Sequence, residues 1–143
     1  MAWGVSNLGR IDRFGNGSNA SWLSNQLLIA RHHMTISLLV ADDHQVVRLG
    51  LRNILEGSGI EVAAEATTGE EVLQILLNNK PDCVLLDVRM PGGDGLNILG
   101  RIKLDYPEMP VVLFSTYDNP TYVARAVALG AAGYVLKDDT PER

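Results

Sequence analysis

The stretch LLVADDH (residues 38–44) runs from four apolar residues straight into two adjacent acids, Asp42 and Asp43, and then His44. Like charges at the end of an apolar run repel each other, so the pair either sits in water or faces a cation. Beginning at Ile36, the run is short and rich in branched residues. That composition suits a strand buried on both faces, as in a parallel sheet. Ligands of open parallel sheets bind outside the carboxyl ends of the strands. The acids stand at such an end.

The pattern repeats on the C-terminal side. QVVRLGLRNILEG (45–57) places Val46, Val47, Leu49, Gly50, Ile54 and Leu55 at helical spacing, with Gly57 as a stop. EVAAEA (61–66) reads as a second strand. Thr68 caps GEEVLQILLNN (69–79), whose first-turn acids favour the helix dipole. Pro81 breaks the chain before the strand CVLLDV (83–88), and MPGGDG (90–95) is a glycine-rich loop. LNILGRIKLD (96–105) is a helix ended by YPEMP, VVLFS (111–115) a fourth strand, and PTYVARAVALG (120–130) a helix with Pro120 near its start and Gly130 past its end. GYVLK (133–137) is a fifth strand. Regular alternation predicts an α/β fold, a doubly wound five-stranded parallel sheet with right-handed crossovers. DDTPER (138–143) reads as the start of a further helix, Thr140 its cap and Pro141 its first residue, so the final helix is expected to be truncated.

Upstream, residues 1–33 are rich in Gly, Asn and Ser and lack a period. They read as an extension, loop or short helix, with Ser21 or Ser24 as a cap, and the patterned domain as 34–143. WLSNQLLIA (22–30) is expected to cover the sheet face that the truncated helix leaves bare.

The chain has 143 residues, 46% hydrophobic and 20% charged, with a net charge of −5. That is an ordinary globular composition with room for one core. The acidic balance argues against nucleic-acid binding by this chain. Cys83, the one cysteine, excludes an internal disulfide and fits a reducing compartment. No apolar run approaches the roughly 20 residues of a membrane span, and no apolar segment follows Arg10 and Arg13 as a signal peptide requires. The expected location is cytoplasmic, with no membrane partner.

Polar residues gather at the strand ends. The first strand ends in Asp42 and Asp43, the third in Asp87, the fourth in Ser115 and Thr116, the fifth in Lys137; the second ends in no comparable group. Three carboxylates close together need a compensating cation. Oxygen ligands that leave room for water and phosphate suit Mg²⁺. A carboxylate can accept a phosphoryl group as a mixed anhydride, a transfer that needs mainly positioning and charge neutralisation. Lys137 and the hydroxyl of Ser115 or Thr116 are placed to engage phosphoryl oxygens.

With these motifs in view, residues 36–139 resemble the receiver domain of two-component response regulators. The matching features are Asp42-Asp43, LLDVRMPGGDG around Asp87, VLFST with Ser115, and GAAGYVLKDD with Tyr134 and Lys137. ADDH and GYVLKDD look most like the LuxR/NarL group, in which a helix-turn-helix DNA-binding domain follows. The resemblance implies strand order 2-1-3-4-5 and Asp87 as phospho-acceptor. It implies Mg²⁺ held by Asp43, Asp87 and the Arg89 backbone carbonyl, with Asp42 acting mostly through water. Ser115 and Tyr134 would be the switch residues, and Lys137 would pair with the phosphoryl group. Arg89 and Tyr117 occupy positions that tune the lifetime of the phosphate. A sensor histidine kinase is the implied partner, a homodimer a candidate assembly, and the chemistry is limited to self-phosphorylation and self-dephosphorylation rather than that of a dedicated enzyme.

Other readings fit less well. An aspartyl phosphatase commonly shows D-x-D after its first strand, whereas Asp87 follows the third. A flavodoxin-like binder needs a phosphate-cradling loop where this chain has acids, and Gly92, Gly93 and Gly95 form no nucleotide fingerprint; a tight turn is their expected role. A degraded receiver acting only through protein contacts is disfavoured by the complete site. His44 reads as a helix-start cap or an exposed residue, His32 and His33 as solvated, and Cys83 as a small core residue. The glycosylation patterns at Asn16 and Asn19 carry no meaning in a cytoplasmic protein.

Overall fold

The computed structural model describes residues 35–116 and 118–138. Expectations for residues 1–34, for Tyr117, for Thr140 and Pro141 and for a truncated final helix fall outside these residues.

Short apolar runs pair as parallel strands: β1 (Ile36–Ala41), β2 (Ile60–Ala66), β3 (Cys83–Asp87), β4 (Val111–Ser115) and β5 (Gly133–Leu136). The sheet order is β2-β1-β3-β4-β5. Helices α1 (Gln45–Leu55), α2 (Gly69–Asn78), α3 (Gly95–Asp105) and α4 (Pro120–Ala128) alternate with them. The chain proceeds outward in one direction through β2, then returns past β1 to build β3, β4 and β5. That reversal makes the carboxyl end between β1 and β3 a switch point where a crevice opens.

Local chemistry sets the helix starts. The Thr68 side chain accepts from the Glu71 backbone N–H and Asn119 from that of Thr121, with Pro120 in the first turn of α4. Asp94 caps α3 by accepting from the Leu96 N–H, a role not anticipated within the glycine-rich loop. That loop also carries a two-residue antiparallel ladder, Arg89–Met90 against Gly93–Asp94. Gly95 is required by crowding: a Cβ there would stand 2.7 Å from the Asp87 carbonyl oxygen and 2.7 Å from Val88 Cα.

The two sheet faces are unequal. Leu39, Ala41, Val84, Leu86, Val111 and Leu113 pack with Val72 and Leu76 of α2, Leu96, Leu99 and Ile102 of α3, and Ala126 of α4. On the other face Leu38, Val40 and Val62 meet only partly buried residues, among them Leu51 and Leu55 of α1. Helix α1 forms as its spacing predicts, but it packs shallowly. Val46, Leu49 and Ile54 are exposed, and no α1 residue is fully buried. Among the described residues α1 is the helix on this face, which it meets through Leu51 and Leu55. Strand β1 is buried only from Leu38 onward, and Ile36 remains exposed. Cys83 is half-buried against this smaller cluster.

Candidate functional site

Strand register assembles the site. Ala41 of β1 pairs with Leu86 of β3, so Asp42 and Asp87 leave the sheet side by side. Asp87 pairs with Phe114, and Ser115 pairs with Leu136. The ladders continue past the strand ends: Asp42 N–H donates to the Ala66 carbonyl at 3.0 Å and Lys137 N–H to that of Ser115 at 2.8 Å. Residues far apart in sequence therefore share one edge.

Asp42, Asp87 and Ser115 are the buried polar residues of the described chain, each less than 5% exposed. Buried carboxylates need partners. Lys137 supplies one, with Nζ 2.8 Å from Asp42 Oδ2 and 3.3 Å from Asp87 Oδ2. The Arg89 backbone N–H donates to Asp87 Oδ1 at 3.1 Å. Burial pushes the Asp87 carboxyl above its usual range, against the Arg89 hydrogen bond and the Lys137 charge, while the Asp42 charge adds to the rise. Burial works against the charge on Lys137, but its hydrogen bond to Asp42 and the two carboxylate charges outweigh this and raise its pKa. The ammonium also lies 5.5 Å from the centre of the Phe114 ring.

Of the other anticipated residues, Asp43 and Thr116 are exposed, and Tyr134 on β5 is half-buried against the larger core. Of the two candidate hydroxyls only that of Ser115 is enclosed at the edge. The Arg89 side chain is exposed. It lines a cleft of about 450 Å³ with Asp43, Met90, Asp94 and Tyr122, beside the acids.

Three residues escaped sequence reasoning. Arg48 donates to the Asp42 carbonyl at 2.8 Å and to Glu65 Oε1 at 2.7 Å, while Arg52 pairs with Glu65 Oε2 at 2.7 Å. The Arg52 hydrogen bond, opposed by burial and aided by Arg48, holds the Glu65 carboxyl below its usual range. Glu65 interrupts the apolar run of β2, which was the available signal. His44 is exposed at the start of α1, one of the two readings expected of it. It occupies the cap position of α1 without a side-chain capping bond, and its ring contacts the acids instead.

One ligand atom from each of Asp42, Asp43, His44 and Asp87 lies within 4.8 Å of the others. Converging carboxylate oxygens are the donors a hard divalent cation takes, so the residues present fit Mg²⁺.

Residues 38–143 match the family model described as the response regulator receiver domain. The chain belongs to that family. It is 36% identical over 110 residues to the oxygen regulatory protein NreC of Staphylococcus haemolyticus, covering 76% of this chain and 51% of the relative. It is 37% identical over 103 residues to the response regulator GacA of Pseudomonas aeruginosa, covering 71% and 48%. This receiver chain thus spans about half the length of those relatives. Among solved structures it resembles the isolated receiver domain of RcsB from Salmonella enterica serovar Typhimurium, with a TM-score of 0.70, 27% identity, and coverage of 75% and 80%. A LuxR-family response regulator from Aurantimonas sp. SI85-9A1 gives a TM-score of 0.72, 29% identity, and coverage of 76% and 79%. Its relatives and structural neighbours lie in the NarL/LuxR-type group.

The protein is therefore a two-component receiver domain with the receiver fold, a signalling domain of a kind that binds Mg²⁺ at an acidic pocket and interacts with histidine kinases. Among the described residues no helix is long and apolar enough to cross a membrane.

Proposed function

We propose that Asp87 accepts a phosphoryl group from the phosphohistidine of a sensor kinase and that the adduct switches the α4–β5 face. One observation carries this reading: the buried Asp87 carboxylate stands at the switch point, bridged to Asp42 by the Lys137 ammonium. An ionised Asp87 oxygen attacks phosphorus in line. The new O–P bond forms as the P–N bond to the kinase imidazole breaks, and the imidazole nitrogen keeps the electron pair. Mg²⁺, when bound by Asp42, Asp43, Asp87 and the Arg89 backbone carbonyl, supplies charge neutralisation for the phosphoryl oxygens. Lys137 gives up its Asp87 contact for a phosphoryl oxygen. The Ser115 hydroxyl turns inward to donate to another, Thr116 flanks it, and Tyr134 follows. These movements shift the population of two arrangements of the face.

On this reading the output lies beyond the receiver itself. NreC and GacA are named as an oxygen regulatory protein and a response regulator, and the matching output here is control of transcription in a longer regulator. The RcsB receiver was solved with a phosphomimetic, which favours the same acyl phosphate chemistry. The kinase places the protein in the cytoplasm, a homodimer is its proposed assembly, and residues 1–33 are an extension ahead of the receiver at 34–143.

Intact mass after incubation with acetyl phosphate, with and without Mg²⁺, tests the acceptor. One metal-dependent phosphoryl adduct is expected, absent in Asp87→Ala. An adduct that persists in that variant, or none on a folded chain, overturns the assignment.

A further inference from the structure

Arg48 reaches the backbone beside the acids. The first bond of the α1 ladder runs from the Arg48 N–H to the His44 carbonyl at 3.2 Å, so the Asp42 carbonyl, two residues earlier, lies outside the helix. The Arg48 side chain takes that carbonyl instead, donating from Nη1 at 2.8 Å. This completes the hold on Asp42. Its N–H donates to the Ala66 carbonyl at 3.0 Å, Oδ1 accepts from the His44 N–H at 2.8 Å, and Oδ2 faces Lys137 at 2.8 Å. The Asp42 carbonyl and the Asp43 N–H belong to one planar peptide. The bond from Arg48 therefore fixes the direction in which Asp43 leaves the chain.

A tie between α1 and β2 does not need this arginine. Arg52, one turn further on, already grips Glu65 Oε2 with Nε at 3.0 Å and Nη2 at 2.7 Å. Arg48 puts Nε on the other oxygen, Oε1, at 2.7 Å. Because the guanidinium is a rigid fork, that bond aims Nη1 at Asp42. The Arg48 side chain is 16% exposed against 44% for Arg52, so the bridge to the acids is the enclosed member of the pair. A positive charge beside a cation site would weaken the site. Glu65 offsets that charge with the same bond that aims the fork.

We propose that Arg48, aimed by Glu65, is a positioning residue for the cation site: it sets the Asp42–Asp43 peptide so that the Asp43 carboxylate is presented to Mg²⁺ alongside Asp87. The proposal rests on the cation reading of the acidic pocket given above and adds to it a support that runs from β2 to the acids.

Calorimetric titration of the full chain with Mg²⁺ tests it, beside acetyl phosphate labelling rates over a range of Mg²⁺ concentrations. Arg48→Met is expected to weaken Mg²⁺ binding about tenfold, the lower end of the range for groups that orient metal ligands. Labelling of that variant should need correspondingly more Mg²⁺ for half-saturation and approach the parent's rate at saturation. Glu65→Ala should weaken binding in the same direction by a smaller factor. Arg52→Met loses its bonds to the same carboxylate but none to Asp42, so it controls for lost stability and should keep the parent's Mg²⁺ affinity. Unchanged affinity in Arg48→Met, or an equal fall in Arg52→Met, overturns the proposal and leaves the cation site standing. A gain in affinity in Arg48→Met also overturns it, because Arg48 would then act only by repelling the cation. Should Arg48→Met not fold, Glu65→Ala decides, and parental affinity there overturns the proposal. Failure of the parent to bind Mg²⁺ removes the cation reading and this proposal together.

Discussion

The Lys137 ammonium holds two carboxylates from different strands, Asp42 Oδ2 at 2.8 Å and Asp87 Oδ2 at 3.3 Å. Its side chain is 14% exposed and theirs almost fully enclosed. Removing one partner of a buried ion pair leaves charge without compensation. Lys137→Met is expected to lower stability by about 2 kcal/mol, below the usual penalty for a broken buried pair because a carboxyl can take up a proton instead. Urea denaturation measures the loss, and added Mg²⁺ should restore part of it. An equal loss with and without Mg²⁺ would separate the lysine from the cation site.

Asp87 gives a pH dependence. Burial raises its carboxyl pKa above the ordinary 3.8 despite Arg89 and Lys137. Because the folded value is the higher one, its contribution to stability is full below the unfolded value and is lost as pH rises through the folded value. At neutral pH the charged carboxylate is therefore a net cost. Asp87→Asn should melt at a higher temperature than the parent at pH 7, with the gap closing as pH falls toward 3.8. Thermal scans across pH check this; a variant less stable at pH 7 would mean that the Lys137 pair outweighs burial.

Arg48 links the acid pair to β2 through Glu65. Arg48→Met is expected to cost about 1.5 kcal/mol and Glu65→Gln about 1 kcal/mol, the scale of hydrogen bonds to charged groups, discounted for partial exposure. A double-mutant cycle should show the double variant losing less than the sum, since both changes break the same bond. Additive losses would assign each residue an independent role.

Two glycines offer a steric contrast. A Cβ on Gly95 meets backbone, 2.7 Å from the Asp87 carbonyl oxygen, whereas one on Gly69 meets the tip of the Ile98 side chain at 2.5 Å. Backbone cannot yield as a side chain does. Gly95→Ala should cost about 3 kcal/mol and slow acetyl phosphate labelling, while Gly69→Ala should cost about 1 kcal/mol and leave labelling rates alone. Denaturation and labelling rates measured together would expose the reverse order.

By itself the sequence determined the alternation of strands and helices, the cap at Thr68, and the edge on which function would gather. Short branched runs alternating with helices fit the strands of a parallel sheet, and every such strand delivers its last residue to the same side. Asp42, Asp87, Ser115 and Lys137 were legible for that reason. Tertiary structure decided which groups touch. Register set Lys137 between Asp42 and Asp87, and enclosed Ser115 while leaving Thr116 in solvent. It also joined Arg48 to Glu65 across 17 residues and left Val46 and Leu49 of α1 uncovered. The turn of the His44 ring toward the acids belongs with these. A period of 3.6 residues identifies a helix, but the neighbours of a side chain depend on its rotamer and on how distant segments pack, and local sequence encodes neither.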